Sequence, residues 1–223
     1  MTSPSRPQVV VCNAMSIDGA STGFPLDIGA YYHIVGTLGA DGFLAGSKTL
    51  RTGIEQFLSS VPQETELDLH TPVGRESLPL LIVPDSSGRL MGLLHVIRQE
   101  PYYRDVVVFC SERTPQAYRT YLSERAYRYY VVGETRVDLV RMLGICAQEL
   151  GIRILATDSG GELVGALMSS GLADELGILV VPHLAGPGGM PLFRALRAGS
   201  SWTLRSAEKQ EDGTVWLRYQ KVP

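Results

Sequence analysis

The chain is poor in cysteine, in lysine and in long apolar runs. Its three cysteines, Cys12, Cys110 and Cys146, are too few and too scattered for a disulfide framework or a CxxC zinc site. The HxE…PCxxC pattern of the zinc deaminases is missing as well. No stretch reaches the roughly 18 apolar residues of a membrane span, and the N-terminal MTSPSRPQ lacks the apolar core of a signal peptide. These absences predict a cytoplasmic protein with no metal and no membrane partner. Positive charge is not in excess either. Twenty Lys and Arg stand against twenty-three Asp and Glu, a net charge of −3, so there is no basic footprint for nucleic acid. Only Lys48, Lys209 and Lys221 are lysines; the other basic residues are arginine.

What is present is an ordinary globular composition of 223 residues, 44% hydrophobic and 19% charged, with one outlier, 24 glycines. That is about 11% against a typical 7%, and glycine in excess marks turns or backbone that approaches a ligand closely. Short β-branched runs predict strands at Gln8–Met15, Gly42–Ala45, Leu78–Val83, Asp105–Phe109, Tyr127–Val132, Ile152–Ala156 and Glu175–Val181. Several are apolar throughout, as strands covered on both faces are. In Val137–Leu150 the apolar residues Leu139, Leu143, Cys146 and Leu150 share one helix face, with Gly151 as the stop. Trp202–Lys209 and Val215–Lys221 flank the turn signal Glu211-Asp212-Gly213 and predict a closing antiparallel hairpin. The expected fold is α/β, a mixed, mostly parallel sheet flanked by helices, in a single domain spanning 1–223. Residues 59–77, polar and Pro-broken, are expected to form a long surface loop.

Three glycine-centred loops follow predicted strands. Asp158-Ser159-Gly160-Gly161 sits between a strand and a helix bearing Leu163, Val164, Leu167 and Met168. There the backbone can approach a ligand, and helix-start N–H groups attract a phosphate. A tight turn with Ser or Asp capping and no ligand fits the string equally. DSGG can also hold a serine-protease nucleophile, but here it opens an amphipathic helix, no triad histidine is evident and GxSxG is absent. Asn13-Ala14-Met15-Ser16-Ile17-Asp18-Gly19 places polar groups at the end of the first strand, where α/β sheets bind ligands. Asp18 can accept hydrogen bonds from a substrate, or form an Asx turn before Gly19. Gly46-Ser47-Lys48-Thr49 repeats the pattern without P-loop spacing. A fourth cluster, Pro84-Asp85-Ser86-Ser87-Gly88-Arg89, offers two hydroxyls and a guanidinium suited to a 2′-phosphate, or a plain turn.

Together these loops resemble the RibD C-terminal family, the reductase domain of riboflavin biosynthesis, which has the dihydrofolate reductase fold. The resemblance rests on Ala14-Met15-Ser16-Ile17-Asp18-Gly19, on Asp41 to Thr49, and on Asp158-Ser159-Gly160-Gly161-Glu162-Leu163 followed by Ala166–Leu176 and Pro182–Gly186. It implies an NADPH-dependent reductase that converts the ribosylamino side chain of an aminopyrimidine phosphate to ribitylamino by hydride transfer, working as a homodimer on a small-molecule substrate. Thr49 and the turn of Ser159, Gly160, Gly161 and Glu162 would meet the cofactor phosphates, Ser86 and Ser87 its adenosine end, and Val132 and Gly133 the nicotinamide. Asn13 and Asp18 would be the catalytic pair, with Ser16 and Gly189 at the substrate. The departures are Ala20 where the family has Lys, no Arg in the helix expected over Tyr31–Ala40, Gly53 for an Asp, Asp158 for a Glu and Ser159 for a Gly. They leave open a same-fold reductase of another substrate, such as a dihydropteridine, or a non-catalytic nucleotide-binding relative.

Overall fold

The computed structural model describes residues 5–193 and 201–222. In chain order its elements are β1 (Gln8–Ser16), α1 (Ile28–Gly36), β2 (Gly42–Leu44), α2 (Ser47–Phe57), β3 (Leu80–Pro84), α3 (Leu94–Gln99), β4 (Val106–Cys110) and α4 (Gln116–Glu124). They continue with β5 (Arg128–Val131), α5 (Leu139–Gln148), β6 (Ile154–Thr157), α6 (Gly161–Ser169), β7 (Glu175–Val181), β8 (Trp202–Lys209) and β9 (Val215–Lys221). All nine predicted strands are present, and the hairpin bounds are those expected. The chain divides into two compact units. One is Asp41–Arg153 with the N-terminal residues; the other is Gln8–Ala40 with Ile154–Pro223.

The first unit lays its strands in the spatial order β5, β4, β3, β2, all parallel. β4 is buried at every position, which is why its sequence is apolar without alternation. Leu81, Ile82, Phe109, Leu122, Met142 and Leu143 fill the core on either side. α5 starts at Leu139 rather than Val137 because the Asp138 carboxylate accepts the N–H groups of Val140 and Arg141, capping the helix there. Residues 59–77 hold one 3-10 turn, Glu66–Leu69, closed by reciprocal bonds between Thr65 and Asp68.

A buried arginine anchors that loop. Arg98 on α3 pairs through Nε with Asp105 at 3.0 Å and donates through Nη1 to the carbonyls of Asp68 and Arg125 at 2.9 and 3.0 Å. Its guanidinium also lies 3.6 Å from the centroid of the Tyr127 ring. A charge taken this far from water is tolerated only because its donors are met.

In the second unit the order is β6, β1, β7, β9, β8, with β6, β1 and β7 parallel and the last two antiparallel. Val11, Val164, Ala173, Leu176 and Ile178 form the core between the sheet and α6. α1 begins three residues before the expected Tyr31, because Asp27 accepts the Ala30 N–H and so fixes the first turn at Ile28. Among the described residues, no helix is long and apolar enough to cross a membrane. Burial pushes the Cys110 and Cys146 thiols up to about 12, as expected of small apolar core residues.

Replacing Arg98 by Met is expected to cost about 3–5 kcal/mol, because Asp105 is left without its cation and three carbonyls lose their donor. Urea unfolding measures this. A loss under about 1 kcal/mol would mean that the network is not what fixes the 59–77 loop.

Candidate active site

Parallel strands deliver their carboxyl ends to one edge, and in each unit the polar loops singled out from the sequence lie on that edge. In the second unit β1 ends in Ser16, and the chain reverses at once. The Ser16 N–H donates to the Ala20 carbonyl at 2.9 Å, and the Ala20 N–H donates back to Ser16 Oγ at 3.0 Å. Ser16 Oγ also donates to Asp18 at 2.5 Å. Asp18 then reaches the loop after β7, accepting the N–H of Ala185 at 3.0 Å and of Gly186 at 2.8 Å. The Ser16 hydroxyl, with those two amides, holds the Asp18 carboxyl down at about 2 although it is exposed. The carboxylate therefore ties two loops together.

Gly189 lies in the same clasp. A Cβ there would fall 2.6 Å from the Ala20 methyl and 2.8 Å from that of Ala185, so the loop packs this closely only with glycine. Ala20 is buried at this contact. Asn13 stands opposite Ile178 of β7, half-buried, on the face of β1 that also carries Val11 and Met15. Its amide makes no hydrogen bond to the described residues.

β6 runs through Thr157 into Asp158, Ser159 and Gly160, and α6 starts at Gly161. The cap residue is Gly160, which has no side chain to offer the first-turn amides, and a Cβ on Gly161 would meet nothing within 4 Å. Ser159 is buried, with its N–H on Thr157 Oγ1; Glu162 is exposed in the first turn. Asp158 is half-buried and accepts a 2.7 Å hydrogen bond from Tyr32 Oη on α1. Burial raises the Asp158 carboxyl above the usual carboxylate range, and the Tyr32 hydroxyl opposes part of that shift. Sequence reading missed this pair. Its partners are far apart in the chain, and neither lies in a motif that names the other.

On the edge of the first unit, α2 is capped by Gly46 rather than by a hydroxyl, and Thr49 is exposed in its first turn. After β3, Asp85 is fully buried and accepts the N–H groups of Arg89 and Leu90, both at 3.0 Å. Ser86 is committed to the fold: its Oγ accepts the Val137 N–H at 2.9 Å and its carbonyl accepts the Thr114 hydroxyl. Ser87 and Arg89 are exposed. Val132 is buried, and Gly133 has φ +86°, with its carbonyl accepting the Glu112 N–H. A Cβ there would lie 2.2 Å from the Arg136 carbonyl oxygen, so this glycine is required by its own turn. A cavity of about 430 Å³ opens beside these loops, between Arg51, Leu58 and Val61 on one side and Arg89, Met91 and Leu93 on the other. Among the described residues, no group of three or more His, Cys, Asp or Glu could hold a metal ion.

Comparison with known proteins bears on this arrangement. The model of the RibD C-terminal domain matches residues 7–216. The chain belongs to the RibD C-terminal domain family. A curated relative, the 2,5-diamino-6-ribosylamino-4(3H)-pyrimidinone 5′-phosphate reductase of Archaeoglobus fulgidus, is 28% identical over 151 residues, 66% of this chain and 67% of that protein. Among solved structures, a pyrimidine reductase-like protein from Corynebacterium diphtheriae has a TM-score of 0.66 at 15% identity, covering 97% of this chain and 92% of its own. Acinetobacter baumannii RibD has a TM-score of 0.69 at 19% identity; it covers 98% of this chain, which spans only 58% of RibD. The structures establish the shared fold, and this RibD family member resembles the riboflavin-pathway pyrimidine reductases.

The Asp18 clasp predicts a pH response. Its folded value lies below the ordinary 3.8, so its contribution is complete above that value and is lost as pH falls toward about 2. Amide exchange at Ala185 and Gly186 is expected to speed up over that interval once the intrinsic pH dependence of exchange is removed. In Asp18→Asn, where an NH2 faces a backbone N–H, exchange should be fast at every pH. Unchanged protection in the variant would show that the loop is held by other contacts.

Proposed function

We propose that this RibD-family protein is an NADPH-dependent reductase of a small nitrogen heterocycle, of the type that reduces a ribosylaminopyrimidine phosphate to its ribitylamino form. The observation that carries this reading is the Thr157–Glu162 turn: a strand end running into a helix whose cap is glycine and whose approach is open. Such a helix start favours the phosphates of a dinucleotide, both through the backbone N–H groups that it presents and through the helix dipole. Ser159, Gly160, Gly161 and the backbone of Glu162 would take the pyrophosphate, and Thr49 at the start of α2 is assigned to the cofactor phosphates by the family resemblance alone. Ser87 would face the adenosine end, with Ser86 shaping its loop, and Val132 and Gly133 would face the nicotinamide.

When bound, the dihydronicotinamide supplies the hydride, which is the demanding part of the chemistry. The protein positions and polarises. Asn13, with its amide uncommitted, would orient the substrate. Asp18 and Ser16 would hold the loop that carries Gly189 against it. The working form in this reading is a cytoplasmic homodimer.

Ala20 favours a second reading, a reductase of the same fold acting on an unphosphorylated substrate such as a dihydropteridine. It is buried against Gly189, and no cation stands at that position.

Gly161→Asp tests the cofactor assignment. The site is exposed and sterically open, and an acid in a helix's first turn does not destabilise it, so the melting temperature should hold. NADPH affinity, followed by quenching of protein fluorescence, should fall at least about tenfold, roughly 1.4 kcal/mol. Equal affinity in the two proteins would remove the phosphates from this turn, and no binding of NADPH or NADH by the parent would end the reductase reading. Turnover of 2,5-diamino-6-ribosylamino-4(3H)-pyrimidinone 5′-phosphate against that of a dihydropteridine separates the two substrates.

A further inference from the structure

Both substrates considered above, the ribosylamine once its sugar ring has opened to the imine with the N–H proton passed to the ring oxygen, share one chemical demand: reduction of a C=N bond needs a proton on nitrogen as well as a hydride on carbon. The second unit holds one pair of groups built to supply it. Tyr32 is 47% exposed on α1, and its hydroxyl lies 2.7 Å from Asp158, at the carboxyl end of β6 and immediately before the Ser159–Gly161 turn. Tyr31 packs edge-on against the Tyr32 ring at 5.3 Å and limits its movement. We propose that Tyr32 is the proton donor to the substrate nitrogen and that Asp158 positions it and resupplies its proton. This rests on the reductase reading of the same site.

The step balances as follows. As hydride bonds to carbon, the C=N π pair moves onto nitrogen, and the nitrogen takes the proton of Tyr32 Oη while the O–H electrons stay on oxygen. Asp158, in its acid form, passes a proton to that oxygen and is reprotonated from water. One hydride and one proton have then been added, and the pair is restored.

The surroundings suit the acid form. Burial raises the Asp158 carboxyl, and the groups facing it, the Cys12 thiol of β1 and the Tyr31 phenol of α1, are both held neutral by burial. The Cys12 thiol is also acted on by Glu175 of β7 and Arg218 of β9, which pair with each other. Asp18, on the same edge, is held ionised by its donors and cannot serve as the acid. Tyr32 carries the donor from the half-buried carboxyl to the surface, where a substrate can meet it.

The test uses Tyr32→Phe and Asp158→Asn in the full chain, with both substrates named above. Phenylalanine keeps the ring contact, and asparagine keeps an acceptor for Tyr32 but carries no transferable proton. General acid catalysis contributes about 10²–10⁴-fold. Tyr32→Phe should therefore lower kcat at least about a hundredfold, with NADPH affinity and KM within about threefold. The parent should lose rate as pH rises through the Asp158 titration and show a solvent deuterium effect on kcat; Asp158→Asn should lose that limb. Independently of turnover, the carboxyl carbon resonance of Asp158, assigned by its loss in Asp158→Asn, should titrate at higher pH in Tyr32→Phe, because the bond to the ionised form is gone. If Tyr32→Phe keeps kcat within twofold and the same pH profile, the proposal is wrong while the reductase reading stands. If the parent neither binds NADPH nor turns over either substrate, both are wrong.

Discussion

Parallel strand pairing is the constraint on which the rest depends. Strands that run the same way must end on the same edge, so every β-to-α loop of a unit is gathered there whatever its sequence. In the first unit this collects the loops after β2, β3, β4 and β5; in the second, those after β1, β6 and β7. The sheet needs only continuous apolar strands and helices to cover them. The loops are then free to carry glycine, hydroxyl and carboxylate groups at little cost to the core. Part of the glycine excess follows from this division: Gly19, Gly133, Gly186 and Gly189 sit in such loops at tight reversals or close approaches, and Gly160 and Gly161 stand where β6 gives way to α6.

Strands were legible because burial on both faces leaves a local signature. β4, apolar and buried at all five positions, could be read from Val106–Cys110 alone. The Asp158–Leu163 motif was legible for a similar reason, since it is contiguous and its glycines stand where a strand meets a helix. Helix starts were less so. α1 begins at Ile28 because one carboxylate, Asp27, accepts one N–H, and the same residue type is equally at home in a plain turn. The role of Asp18 was half visible. Its place beside Gly19 suggested either a substrate contact or an Asx turn, whereas its observed bonds run to Ala185 and Gly186, 167 and 168 residues away. The Tyr32–Asp158 bond spans 126 residues and follows no periodicity at all. Contacts of this kind exist only once the sheet has set which loops are neighbours.

The two carboxylates of that edge show how environment divides one chemistry into two tasks. Asp18 is exposed yet held at about 2, because a hydroxyl and two amides donate to its oxygens and each bond favours the ionised form. It is a fixed negative charge at any physiological pH, suited to holding backbone. Asp158 accepts one phenol and is otherwise walled in by neutral groups, so burial outweighs its single donor and its carboxyl moves the other way. A carboxyl so placed can change its protonation state where the first cannot. Environments that push two like groups apart in this manner are what acid–base roles require.

That contrast also bears on the departure at Asp158. An aspartate in place of glutamate withdraws the carboxyl by one methylene toward the strand end. In this chain the Tyr32 phenol stands against that shortened side chain, with its hydroxyl at hydrogen-bond distance. If Asp158→Glu were combined with Tyr32→Phe, the longer side chain would reach outward with no phenol in front of it, and the acid would stand directly at the surface. Activity recovered in that double variant relative to Tyr32→Phe alone, with its pH limb restored, would mean that what the edge must provide is a titrating proton at a given reach, whichever residue carries it.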